Sequence, residues 1–425
     1  MKIRTLLIWT LSMMVSTGIY AQWTVNLSPV AGYYRIDAVH FLDNTTGFTG
    51  GTNLLFGGDG VISKTTNGGN SWTNVASITG SPITAIQFVN TNLGFAVGTN
   101  GLIAKTTDGG NTWSSQNYTN PNSGNNEDFQ GVHFLDQNTG YVAGGTFEML
   151  VLKTTDGGDT WTQLTLPAYF QRLKSVHFLS TTEGFVVGGD QFNGGQGRIY
   201  HTTDGGNSWN EIPSGVTNYF NDIHFTDASN GFIGCASNGV LLKTSDGGQT
   251  WNSVSNPSGG SALGEFSFVN ANLGYVCTLG GQILKTTDGG ANWTLDEDVS
   301  GTIFSLYSIS VPSANFGVAA GLSPLFAKLG SGPSVGIDQQ EALIANTIRI
   351  SPNPSNGQLS IEALVQTRQE AVVSVVDLQG KTMFSSEWNS NEILNLDLGN
   401  LPNGVYLVHY LSAKAQSVEK LIIAK

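Results

Sequence analysis

Apolar and polar side chains alternate along most of this chain, in short runs closed by Gly, Asn, Asp and Thr. That rhythm predicts β-strands separated by tight turns. The runs recur as units. An apolar strand followed by Gly-aromatic, of the form VHFLDNTTGF, occurs seven times, with its glycines at Gly47, Gly94, Gly140, Gly184, Gly231, Gly274 and Gly317. Between them an octapeptide occurs six times: TTNGGNSW at 65–72, TTDGGNTW at 106–113, TTDGGDTW at 154–161, TTDGGNSW at 202–209, TSDGGQTW at 244–251 and TTDGGANW at 286–293. Its tryptophans stand 41, 48, 48, 42 and 42 residues apart, a period at which each repeat is one small sheet.

Each unit reads as four strands. The inner strand is of the type 36–41, the second is Gly-Phe-x-x-Gly, the third is of the type 102–106, and the outer strand begins at the tryptophan. Asn67, Asp108, Asp156, Asp204, Asp246 and Asp288, each followed by two glycines, form the hairpin before the outer strand. Asp and Asn accept hydrogen bonds from their own turn, and Gly takes the positive φ that other residues avoid. Trp72, Trp113, Trp161, Trp209, Trp251 and Trp293 then serve as wedges, each burying about 150–250 Å². Seven strand signatures against six octapeptides leave the last unit, from 304 to 329, one strand short. At the other end Gln22-Trp23-Thr24-Val25 resembles 71–75 and has no unit of its own. The chain therefore predicts an all-β ring of seven four-stranded blades, closed by its N-terminal strand so that no sheet edge is left open.

The octapeptide resembles the Asp-box (BNR) repeat of sialidases, sortilin-type receptors and xyloglucanases. The seven-unit arrangement of VHF, GF and KTTDGGxxW is most similar to the photosystem II stability/assembly factor type of propeller. The resemblance covers residues 22–329 and implies a seven-bladed β-propeller; one such fold hosts many activities.

The two ends carry different signals. Lys2 and Arg4, an apolar stretch from 6 to 15 and Ala21 read as a secretory signal peptide over 1–21, its apolar run being too short to span a bilayer. After the propeller at 22–329, a Gly-Ser-Pro-rich stretch makes 330–344 a linker. Residues 345–425 alternate again, with strands at 348–350, 359–361, 372–376, 406–410 and 421–423 punctuated by PNPSNG, DLQG and LPNG, which predicts a small Ig-like β-sandwich. These landmarks, with the final Lys425, resemble the type A C-terminal sorting domain of the type IX secretion system. The resemblance implies a Bacteroidota-type host, engagement of the secretion machinery through 345–425, passage through the outer membrane, removal of the domain on export and a secreted or cell-surface location.

Composition narrows the partners. Lys and Arg number 18 against 31 Asp and Glu, a formal charge of −13, so nucleic acid and anionic membrane surfaces are poor partners. The two cysteines, Cys235 and Cys277, make no disulfide framework, and their one-residue offset sends them to opposite strand faces. No cofactor is expected and no metal: His40, His133, His177 and His224 share one repeat position, which is expected to diverge around a ring, so they read as packing histidines.

Ligand binding is expected at the top face, where the loops 51–60, 118–128 and 189–197 vary most. Arg35, Arg172 and Tyr219 stand where inner strands enter from that face, with Tyr33, Tyr34, Tyr169, Phe170 and Phe192 nearby, a set suited to stacking on a glycan or a protein segment. The main expectation is a secreted or surface binding and scaffolding module. A competing one is a glycoside hydrolase of sialidase-like or xyloglucanase-like type, with Asp222 and Glu265, at one repeat position in adjacent blades, as its acid and base. Against it, sialidase chemistry uses three converging arginines, and residues 22–329 hold only Arg35, Arg172 and Arg198. A third is an assembly factor for an envelope complex.

Overall fold

The computed structural model describes residues 22–27, 35–53, 58–146, 148–167, 172–189, 196–300, 305–322, 325–330, 348–363, 370–377, 381–389, 392–412 and 416–425. The signal peptide expected at 1–21 and the linker expected at 330–344, apart from Gly330, lie outside the described residues. Seven four-stranded antiparallel sheets follow one another along the chain, six of them built from four consecutive strands. Their inner strands are Arg35–Phe41, Ile83–Phe88, Phe129–Phe134, Arg172–Phe178, Phe220–Phe225, Leu263–Phe268 and Leu306–Ser313, here numbered as blades 1 to 7. Each inner strand packs against the inner strands of the blades beside it, and that of blade 7 packs against that of blade 1, which closes the ring.

Blade 7 is completed from the other end of the chain. Trp23–Leu27 pairs antiparallel with Leu325–Leu329, Trp23 lying opposite Leu329 and Leu27 opposite Leu325. Trp23 also ties blade 7 to blade 6: its indole N–H donates to Asp296 Oδ2 at 2.8 Å and its ring meets Tyr275 edge-on at 6.0 Å. Trp72, Trp113 and Trp293 likewise stand edge-on between aromatic rings of two adjacent blades, Trp113 against Phe48 of blade 1 and Phe88 of blade 2.

The repeat glycines have a steric cause. A Cβ on Gly94 would sit 2.7 Å from the Phe88 ring, and one on Gly110 would sit 2.2 Å from Phe48 of the preceding blade. Gly110 also has φ +75°, a conformation that L side chains rarely adopt. In the hairpin itself Asp108 Oδ1 accepts from Thr106 Oγ1 and from the backbone N–H groups of Asn111 and Thr112, while Oδ2 accepts from Thr112 Oγ1. These donors pull its carboxyl down to about 2. Asp156, Asp204, Asp246 and Asp288 are held similarly, also at about 2, and Asn67 accepts from Thr65 and Ser71 in the first repeat.

The C-terminal part is a separate sandwich of two sheets. Ile348–Ser351, Gln358–Ala363 and Leu394–Asp397 form one; Thr382–Asn389, Glu370–Val376, Gly404–Ser412 and Gln416–Ile423 form the other, in that order. The strands Thr382–Asn389 and Leu394–Asp397 are not among those the alternation marks. Trp388 lies on the first and fills the sandwich core with Val373, Val375, Val408 and Tyr410. Lys425 Nζ donates to the carbonyls of Gly399 and Leu401, fastening the last residue to the sandwich.

Candidate functional site

The seven inner strands surround a cavity of about 580 Å³ on the propeller axis. All seven are bulged at the same place, the register breaking between Ile36 and Ala38, Ile83 and Ala85, Phe129 and Gly131, Leu173 and Ser175, Phe220 and Asp222, Leu263 and Phe266, and Leu306 and Ser308. A bulge sets two neighbouring residues against one partner and re-aims their side chains. Here it brings Asp37, Thr84, Gln130, Lys174, Asn221 and Tyr307 to the cavity lining together with the residue that follows each. Strict alternation sends only one of each such pair inward, so the sequence pattern concealed this tier.

The upper tier is charged. Arg35 donates from Nε to Asp37 Oδ1 at 2.6 Å, and its guanidinium lies 5.2 Å from the centre of the Tyr307 ring. Lys174 Nζ donates to Gln130 Oε1 at 2.9 Å, and Arg172 Nε donates to the Thr146 carbonyl at 2.9 Å. Burial pushes the Lys174 ammonium down to about 8, with further effects from Arg35, Asp37, Arg172 and Asp128, so these five charges share one neighbourhood. Of the residues expected to bind ligand, the structure thus brings Arg35 and Arg172 together beside Lys174, a residue the sequence reading did not single out. Tyr219 is buried instead of presented: its hydroxyl makes no hydrogen bond among the described residues, and burial raises its pKa far above that of a free phenol. Tyr33, Tyr34, Tyr169, Phe170 and Phe192 lie outside the described residues.

One tier below, Asp222 and Glu265 tie blades together. Asp222 Oδ1 accepts from Ser175 Oγ of blade 4 at 2.7 Å and Oδ2 from the Phe266 N–H of blade 6 at 3.0 Å. Glu265 Oε2 accepts from Ser308 Oγ and from the Ile309 N–H, and Ser308 Oγ in turn accepts from the Val39 N–H of blade 1 at 2.8 Å. Desolvation, with the nearby Asp222 adding to it, pushes Glu265 up to about 8, so it holds its proton at neutral pH; burial also raises Asp222.

The lowest tier corrects one expectation. The shared histidine position converges on the axis: the rings of His133 and His177 are 4.5 Å apart and those of His177 and His224 5.6 Å. Inner strands are the one place where equivalent positions meet, since they face a common axis. The histidines do pack. His40 Nε2 accepts from the Phe88 N–H at 3.4 Å and His224 stacks on Phe268. Burial lowers His40, His133 and His224 to about 4, and His177 well below its usual value. Among the described residues no group of three or more His, Cys, Asp or Glu is arranged to hold a metal ion. Cys235 and Cys277 are buried free thiols.

The family described as photosynthesis system II assembly factor YCF48 matches residues 64–206 and 207–322, more than half of the chain. The chain belongs to this family. Residues 349–424 match the secretion system C-terminal sorting domain, which directs export by the type IX route to the outside or the surface of a Bacteroidota-type cell. Solved structures with the same fold include YCF48 bound to D1 peptide (TM-score 0.58, 19% identity, 74% of this chain and 98% of that one). YCF48 from Cyanidioschyzon merolae is similar at TM-score 0.56, 17% identity, 73% of this chain and 99% of that one. PorZ, a surface component of the type IX secretion system of Porphyromonas gingivalis, aligns over 93% of this chain and 60% of its own at TM-score 0.54 and 12% identity. An endo-acting ulvan lyase of Formosa agariphila is 29% identical over 92 residues, 22% of this chain; the chain therefore spans only 17% of the lyase's length. No helix among the described residues is long and apolar enough to cross a membrane.

Proposed function

We propose that this exported surface propeller is a binding and scaffolding module that takes an acidic segment of an envelope protein at the mouth of its channel. The observation that carries the reading is where the cations go. Residues 22–329 contain seven lysines and three arginines. Lys64, Lys105, Lys153, Lys243 and Lys328 reach the hairpin of the next blade, through Gly109, Asp159, Gly205, Gly289 and Asn70 respectively. Lys285, whose next blade has no such hairpin, pairs with Asp296, and Arg198 pairs with Glu211. The remaining three, Arg35, Arg172 and Lys174, gather at the mouth of the cavity, against Asp37 and Asp128. A chain of charge −13 has thus placed a net cationic patch at one recess. Such a patch attracts carboxylates, and an arginine fork can grip one bidentately. Membership of an assembly-factor family, and a relative of the same fold solved with a peptide, favour a protein segment over a glycan.

The test is capture from outer-membrane extracts, with a glycan array beside it, by the full chain and by Arg172→Ala/Lys174→Ala. A species held by the parent and lost from the double variant supports the reading; equal capture by both overturns it, and retention of carboxylated glycans alone moves the ligand to that class.

The hydrolase reading keeps one observation in its favour. Glu265 is a proton-bearing carboxyl beside a cavity, as a general acid has to be. Both carboxyls nonetheless hold backbone N–H groups of the next blade, which gives them a structural task. Asp222→Ala/Glu265→Ala separates the two: turnover on a glycan panel lost with binding intact favours the enzyme.

A further inference from the structure

The sorting domain buries both faces of the two central strands of one of its sheets. In Glu370–Val376 and Gly404–Ser412, the side chains of Val373, Val375, Tyr406, Val408 and Tyr410 enter the sandwich core. By the period of two, their neighbours Ser374, Val376, Leu407 and His409 point the other way, and Val376 lies opposite Leu407 as Ser374 lies opposite His409. An outward sheet face on a free sandwich meets water, yet Val376 is 1% exposed, Leu407 0% and His409 2%. What covers Val376 and Leu407 belongs to the propeller: they form one apolar cluster with Leu322, and Tyr307 packs against it.

Both propeller residues sit at the mouth. Leu322 follows the second strand of blade 7, Phe316–Gly321, where that strand emerges at the top face. Tyr307 lines the cavity and carries the Arg35 guanidinium on its ring. The Asp377 carboxylate, next to Val376, stands close enough to act on the Tyr307 phenol alongside Arg35 and Asp37. An apolar patch edged by one acid thus faces a tyrosine edged by one cation.

We infer that the sorting domain docks, through the outer face of its four-stranded sheet, on the blade 7 rim of the channel mouth and covers part of the surface assigned above to ligand binding. The covering role rests on that assignment; the contact itself does not. It makes the tail a built-in occupant of the mouth, in competition with any partner until the two separate.

The experiment reads the contact in the full chain without any ligand. A single Leu407→Cys variant is treated with a bulky maleimide; the native thiols of Cys235 and Cys277 are buried and stay unlabelled in the folded protein. Docking predicts labelling at least tenfold slower than at Glu362→Cys, an exposed position of the same domain, and recovery of the fast rate when Leu322→Asp is added. Fast labelling of Leu407→Cys in the parent chain overturns the inference, as does protection that survives Leu322→Asp. Because the charged variant risks unfolding, the pair Leu322→Cys/Leu407→Cys is oxidised in parallel. A reducible intramolecular cross-link is expected, and its absence again overturns the docking. Failure here leaves the captured species of the preceding test untouched, so the two readings fall separately.

Discussion

The rim and the axis of this propeller are built from the same repeat and treat it in opposite ways. At the rim, five hairpins hold their Asp through donors at the same offsets, two residues before and four after, and the first substitutes Asn67 with little change of geometry. At the axis, the position seven before each Gly-aromatic glycine is His40, Gln87, His133, His177, His224, Ser267 and Ser310, and the bulged position varies from Asp37 to Lys174 to Tyr307. What the hairpin supplies is a closed turn, a local task with one good solution. What the axis supplies is a lining, where a side chain need only satisfy its neighbour and is otherwise open to selection by a ligand. Uniformity marks what folds the ring, and variety marks the lining at whose mouth we place the ligand.

The largest effect is expected where rim and ring closure meet. Trp23→Ala removes a buried indole, its bond to Asp296 and the anchor of the closing strand, and should cost about 3–5 kcal/mol in urea denaturation; a change within error would break the view that this strand locks the ring. Trp113 is only half-buried, so Trp113→Ala belongs near about 3 kcal/mol, the low end for such truncations. At the axis the order reverses, with function moving and stability holding. Arg172→Ala/Lys174→Ala should weaken partner capture at least about tenfold, or about 1.4 kcal/mol, while leaving the Tm nearly in place. A large fall in Tm would mean that these cations are ring ties like the rim lysines.

A smaller, pH-dependent effect sharpens the same contrast. Glu265 rises from 4.5 to about 8 on folding, so between those values the folded chain binds more protons than the unfolded one. Stability from this group is complete below about 4.5 and is lost as pH rises through 8. Glu265→Gln should therefore flatten the decline in stability over that window, measured as Tm against pH, and an unchanged slope would remove Glu265 from the account. The buried histidines act oppositely: with folded values near 4 for His40, His133 and His224, they favour unfolding as pH falls below their ordinary 6.5. The smallest effect is expected for Asp108→Asn, since Asn67 shows that the hairpin closes with an amide; the Tm should barely move.

Much of the ring was legible because its signals are local. Trp23 was readable as a displaced outer strand since the count of strand signatures exceeded the count of hairpins, and the pairing with Leu325–Leu329 bears it out. The Asp-box carboxylates were readable as turn ties because their donors lie within four residues. The site was legible only in part. Arg35 and Arg172 stand out as rare cations at a shared position, but Lys174 and Tyr307 do not, because a bulge shifts the phase of alternation and leaves no compositional mark. Asp222 and Glu265 were readable as unusual acids, while their partners, Ser175 and Ser308, lie 47 and 43 residues away.

The sequence by itself determined how many blades there are, that the first strand closes the last, and that an export tail follows, since each is written in residues a few positions apart and repeated. Only the tertiary structure decided which side chains meet on the axis, and that the tail's second sheet face rests on blade 7 at the channel mouth. Both depend on surfaces brought together from distant parts of the chain, whose fit is set by shape and burial and is invisible to a period of two.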